Sequence, residues 1–328
     1  MKLGRNLTNL FTIEMLSEKQ KDLILSGKEN MFAMNAWGGL KMKADINNLA
    51  AIARKLNIHH LELDCDVPSP YPEFSKEKRR QLKQIFRDNG LTLSVHLPYT
   101  MSAVSNIASP QAGESQNAVL MAKKYIDFAV DAGALYVNIH PGKAPFYFNS
   151  VHFLKTLEEN MVNSLYALVK YTEDNSDIKF HLENNTAFDG FYYNIDDCLR
   201  VVKKIREQGA KSIYFNFDIG HWFTRESIKE KLPVDLLSPM KDIPSDMVWE
   251  FHLNDFITET TTFHPPLMEQ KGHLTKDRLK EYAAIIKKLG VELLLLETAF
   301  HTTDDLKNRY DIIHKENAFI EEIFGVKW

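Results

Sequence analysis

Two cysteines in 328 residues, Cys65 and Cys198, leave no disulfide framework to build, and neither has a second Cys or a paired His at zinc-finger spacing. No apolar run approaches the roughly 20 residues of a membrane-spanning helix, and Met1-Lys2-Leu3-Gly4-Arg5-Asn6 begins no signal-peptide pattern. A soluble, cytoplasmic protein without membrane contact is expected. Charge of one sign is also scarce: 40 Lys and Arg stand against 44 Asp and Glu, a net charge of −4, with no long basic block. That argues against nucleic acid as a partner, although a local basic groove would escape such a count. What is present is 44% hydrophobic and 26% charged, enough for a packed globular core. The length exceeds a typical domain, but α/β barrels of this size form one unit.

From Met31 onward short apolar runs alternate with amphipathic segments. Strands are expected at 31–35, 59–64, 91–96, 135–140, 178–183, 212–218, 247–252 and 292–297. Helices are expected near 44–56, 75–89, 115–132, 151–172, 194–207, 222–231, 275–288 and 304–322, several closed by Gly, as at Gly90, Gly133, Gly209 and Gly290. Runs this continuously apolar suit a parallel sheet covered by helices, and eight strand-helix units select a (β/α)8 TIM barrel. Residues 1–30 lie outside this repeat and read as an N-terminal extension with a helix near 12–25, leaving 31–328 as the barrel.

Six consecutive strand-like runs end in a metal-ligand residue type: His96, His140, Glu183, Asp218, His252 and Glu297. In such barrels the C-terminal strand ends converge on one face, so these residues become neighbours. A lone His at a strand end is usually a hydrogen-bonding residue. Six ligand types in register would be costly to bury unless a cation paired them. Glu183, Asp218, His252 and Glu297 could hold one divalent ion, with Glu183 bridging to a second on His96 and His140; the mixed donors suit Zn²⁺ or Mn²⁺. His221 and His264 remain as ligands of a third ion or as substrate contacts. His181 lies two residues before Glu183, on the same side of its strand, for a supporting or core role. Tyr99, Trp222, Trp37 and Phe256 follow strand ends and could stack on a ring or cap the barrel.

Taken jointly, Val95-His96-Leu97-Pro98-Tyr99, Asn138-Ile139-His140-Pro141-Gly142, Leu182-Glu183-Asn184-Asn185-Thr186, Phe217-Asp218-Ile219-Gly220-His221 and His252-Leu253-Asn254-Asp255 resemble the xylose isomerase-like TIM barrels. This superfamily joins endonuclease IV with sugar isomerases and epimerases, and the resemblance spans Met31 to about Phe324. On the endonuclease side it implies one zinc on His96, His140 and Glu183 and a second on Glu183, Asp218, His252 and Glu297. A third would need an Asp-x-His pair with His221, but Thr262 stands where that Asp belongs before His264. On the epimerase side it implies a single ion with Glu183 and Glu297 as base and acid, and His221 on a substrate oxygen. The expected function is therefore a metal-dependent isomerase or epimerase of a small sugar, sugar phosphate or polyol. The alternatives are an endonuclease IV-like phosphodiesterase acting at abasic DNA and a non-catalytic metal-binding barrel. The oligomeric state stays open, a homo-oligomer included.

Overall fold

The computed structural model describes residues 1–144 and 151–328. Its strands are β1 (Lys2–Asn6), β2 (His60–Asp64), β3 (Thr92–His96), β4 (Tyr136–Ile139), β5 (Lys179–Glu183), β6 (Ile213–Asp218), β7 (Val248–Leu253), β8 (Phe256–Ile257), β9 (Thr262–Phe263) and β10 (Leu293–Leu296). Eight of them close a barrel in the order β1-β10-β7-β6-β5-β4-β3-β2, while β8 and β9 form a separate small hairpin. Every barrel pair is parallel, and the helices between strands form the outer layer. The expected TIM barrel is present as one closed unit.

The N-terminal boundary is corrected. Residues 1–30 are not outside the repeat: β1 pairs with β10 and with β2, closing the barrel. The expected first strand at 31–35 is instead the start of a helix, Met31–Ala44. The cause is local. The Asn30 side chain accepts from the Ala33 N–H as an N-cap, and Met-Phe-Ala-Met-Asn-Ala-Trp contains no β-branched residue. The segment Lys-Leu-Gly-Arg-Asn, by contrast, carries little β propensity of its own and is a strand because the barrel needs an eighth. Its Gly4 has a reason: a Cβ there would lie 2.6 Å from the His60 ring.

The strands alternate. Leu61, Leu63, Val95, Phe180, Phe215, Phe251 and their counterparts join the buried apolar layer beneath the helices. Between them, His60, Glu62, Ser94, Tyr136, His181 and Glu250 are buried and bonded to one another across the barrel. The lumen is thus polar, where most such barrels are filled with branched aliphatic side chains. This chain has placed a hydrogen-bonded floor under its mouth.

Candidate functional site

The C-terminal strand ends converge as expected. Glu183, at the end of β5, is fully buried and lies at the centre of four imidazoles. Its Oε2 is 3.4 Å from His96 Nε2 and 3.3 Å from His252 Nδ1; its Oε1 is 3.3 Å from His221 Nδ1 and 3.8 Å from His140 Nε2. Asn138 and Asn216 donate to Oε2 from the flanking strands. His96 spends its Nδ1–H on the Leu97 carbonyl at 2.8 Å, which leaves Nε2 aimed at Glu183. Asp218 ends β6 and caps the short helix Ile219–Phe223: its Oδ1 accepts from the His221 N–H at 2.6 Å, and Oδ2 from Asn254 Nδ2 at 2.6 Å. The same Asn254 amide reaches Glu297 Oε2 at 3.2 Å, so one side chain ties together the ends of three strands.

Three donor groups result, each with its ligand atoms within 4.8 Å of one another: His96, His140 and Glu183; Glu183, Asp218, His252 and Glu297; and Asp218, His221 and His264. All six expected metal residues are brought together around the shared Glu183. His221 and His264 also converge, on Asp218; the Thr262 hydroxyl is bonded to Thr260 and is no part of the group. His264 is held there with φ +55, an uncommon conformation for a non-glycine residue, by its N–H on the Asp255 carbonyl and its carbonyl on the Ala299 N–H. Tyr99 stands edge-on to His96, ring centroids 5.3 Å apart, and lines the cavity. Trp222 does not: it is buried against Phe223 and Arg225, outside the cavity wall, so its expected place as a substrate contact is not supported by the geometry. Trp37 lies within the helix Met31–Ala44, and Phe256 is buried in the small hairpin.

Above the donors is a cavity of about 110 Å³, walled by Asn6, Asn9, Asp64, Tyr99 and Thr298 together with His96, His140, Glu183, His221, His264 and Glu297. Among the described residues no Lys or Arg lines it. Lys43 lies behind the wall, its Nζ 3.4 Å from Asp64 and 2.5 Å from the Asp66 carbonyl. Asp64 was missed in the sequence although it ends β2 as the others end theirs; Glu62, Glu250, Asn184 and Asn254 carried only their parity in an alternating strand or their place just beyond it.

Burial raises the charged-state cost throughout, and the neighbours decide the outcome. Burial would push the Glu183 carboxyl up, but His252 and His140 override it and hold it well below the usual range. Asp218 is raised to about 7 by burial, with Glu183 and Glu297 adding repulsion against the pull of His221. His264 is lowered to about 4 by burial. Glu183 Oε1, His252 Nδ1 and His264 Nε2 have no hydrogen-bond partner despite being buried. An anionic carboxylate oxygen and imidazole nitrogens left unpaired in one dry site are the donor set that a borderline divalent cation takes, so the residues fit such an ion.

A closed (β/α)8 barrel whose mouth gathers imidazoles and carboxylates defines a class of barrel proteins built around strand-end donor sites. The chain belongs to the xylose isomerase-like TIM barrel family, whose profile matches residues 50–266. No curated protein sequence matches it. Solved structures with the same fold include a putative xylose isomerase from Rhodospirillum rubrum, 15% identical over 100% of this chain and 99% of that one, TM-score 0.70. D-psicose 3-epimerase with D-tagatose from Clostridium cellulolyticum is 14% identical over 99% of both chains, TM-score 0.68. IolI protein with a bound zinc atom is 13% identical over 99% of this chain and 100% of that one, TM-score 0.65.

Proposed function

We propose that the protein is a metal-dependent isomerase or epimerase of a small sugar, with Glu183 and Glu297 exchanging a proton with the substrate on opposite sides of its reacting carbon. The observation that carries this reading is the placement of these two carboxylates on β5 and beyond β10, 3.3 and 3.6 Å from the single nitrogen His252 Nδ1 between them, both lining the cavity at the barrel mouth. Glu183, Asp218, His252 and Glu297 would hold the ion. A divalent ion bound there would polarise a carbonyl oxygen and stabilise the enediolate charge. Glu183, kept ionised by its imidazoles, would take the proton beside the carbonyl; Glu297 would deliver one to the other face; His221 would steady a substrate oxygen. Tyr99 and the Asn6–Asn9 wall would exclude water and orient hydroxyls. Structural relatives named as psicose and L-ribulose 3-epimerases lend support.

An endonuclease-like reading is favoured by one observation, the His96 and His140 pair on Glu183. The cation-free cavity lining weighs against it, since phosphodiester substrates are held by Lys and Arg. The test is solvent-deuterium incorporation into a panel of free ketoses by protein loaded with manganese or zinc, with Glu297→Gln as control. Exchange that falls roughly 100-fold or more in the variant, metal still bound, supports the proposal. Cleavage of abasic DNA with no exchange on any sugar would refute it.

A further inference from the structure

His252 has two faces. Its Nδ1 looks into the donor cluster, while Nε2 looks down the barrel axis, 3.5 Å from Glu250 Oε1 and 3.8 Å from Glu62 Oε1. All three side chains are completely buried. Both acidic side chains belong to the polar lumen, in a barrel where aliphatic residues would fill the same space without burying a polar group.

Glu250 is tied in place from two other strands: His181 Nδ1 donates to its Oε2 at 2.8 Å, and the Tyr136 hydroxyl donates to its Oε1. Glu62 Oε2 accepts from Ser94, and its Oε1 has no partner. A carboxylate anchored in this way can only accept. His252 Nε2 closes no hydrogen bond of its own, standing 3.5 Å from Glu250 Oε1, but an anchored acceptor on that side favours the proton on Nε2 and the lone pair on Nδ1, the nitrogen that faces Glu183, Asp218 and Glu297. Glu62, Glu250 and His252 also lie within 4.8 Å of one another as a donor group of their own. With both Glu250 oxygens already engaged by Tyr136 and His181, that group works as a brace rather than as a second cage.

We propose that Glu250, with Glu62 beside it, is the positioning residue of His252: it fixes the imidazole's tautomer and direction from below and strengthens Nδ1 as a donor to the ion above. The inference rests on the metal-binding reading of the site. It explains why the chain spends a buried, multiply bonded carboxylate one layer beneath its mouth.

The test begins with the stoichiometry and affinity of zinc and manganese on the full-length wild-type chain, by competition with a chromophoric chelator. Glu250→Gln keeps the shape and removes the charge, and should bind the ion roughly 10- to 100-fold more weakly while remaining folded by circular dichroism. Glu62→Gln, whose carboxylate is less anchored, should weaken binding several-fold. In ¹⁵N spectra of the metal-free wild type at high pH, where no ion dictates the tautomer, His252, assigned by its loss in His252→Gln, should carry its proton on Nε2. That measurement needs no substitution at Glu250 and decides the matter if Glu250→Gln does not fold. Unchanged affinity in both Gln variants, or a wild-type His252 protonated on Nδ1, would overturn the proposal while leaving the function standing. A wild type that binds neither ion overturns both.

Discussion

Gly220 sits between Asp218 and His221 with no room for a methyl group: a Cβ would lie 1.8 Å from Asn254 Oδ1. Asn254 cannot retreat without releasing the bonds it makes to Asp218 and Glu297. Gly220→Ala should therefore loosen two of the four donors in the central group, weakening metal binding by at least tenfold, and overpacking should cost about 1–3 kcal/mol of stability. Metal titration and denaturant unfolding on the same variant check both; unaltered affinity would mean that Asn254 does not organise the donors. His60 provides a second test at this scale. It lies in the lumen away from the donors, bonded to Thr92 and Ser94, and burial lowers it from 6.5 to about 4 against the pull of Glu250, with Lys2 adding to the lowering. Above pH 6.5 it is neutral whether the chain is folded or not. Between 6.5 and about 4 only the unfolded chain takes the proton, so stability is lost across that window as pH falls, by up to ~3 kcal/mol. Unfolding free energies of wild type and His60→Gln measured from pH 7 to 4 should diverge by that margin; parallel profiles would show that His60 is not held neutral.

At the scale of elements, seven of the eight barrel strands lie within a residue or two of where the short apolar runs place them, and the six strand-end donors follow from that. What the apolar runs do not disclose is where the polar residues inside them point. A polar residue in an alternating strand ordinarily faces solvent, whereas Glu62 and Glu250 of this chain face the sealed lumen. Parity alone places Asp64 with the donors, since His60-Leu61-Glu62-Leu63-Asp64 repeats the pattern of the strands that follow. The long loop after β7 was legible only as a loop. Its order comes from Asp255, whose carboxylate accepts the N–H groups of Phe256, His273 and Leu274 while its carbonyl accepts that of His264. These bonds join the two ends of the segment and the ligand-type residue inside it, and no sequence period announces them. Asp255→Ala should leave the barrel folded but free residues 256–274, giving faster proteolytic nicking there and a raised KM with little change in melting behaviour. Nicking at the wild-type rate would show that the hairpin β8–β9 holds the loop unaided.

At the scale of the molecule, closure depends on the chain's first residues, which carry the weakest strand signal of all. Arg5 is fully buried on the outward side of β1, where it pairs with Glu316 at 2.9 Å, bonds Asn317 and Thr298, and lies over the Trp328 ring at 5.0 Å. Glu316 in turn receives the Leu267 N–H and the Thr298 hydroxyl. The first strand is thus latched to the last helix, Arg309–Phe324, through a buried ion pair, and to the strand before that helix through its backbone ladder. Breaking such a pair from one side leaves a charge in a dry site, which costs about 3–5 kcal/mol, whereas breaking it from both sides costs less because nothing charged remains. Arg5→Met should accordingly lower the unfolding free energy by several kcal/mol, and Arg5→Met with Glu316→Gln should recover part of the loss. Deletion of residues 1–30 goes further: β2 and β10 would each expose an unpaired edge, so the truncated chain should be insoluble or lose its cooperative unfolding transition. A truncated protein that melts like the full chain and still binds metal would show that the barrel closes without β1, and the latch would then be an ornament of the fold rather than its clasp.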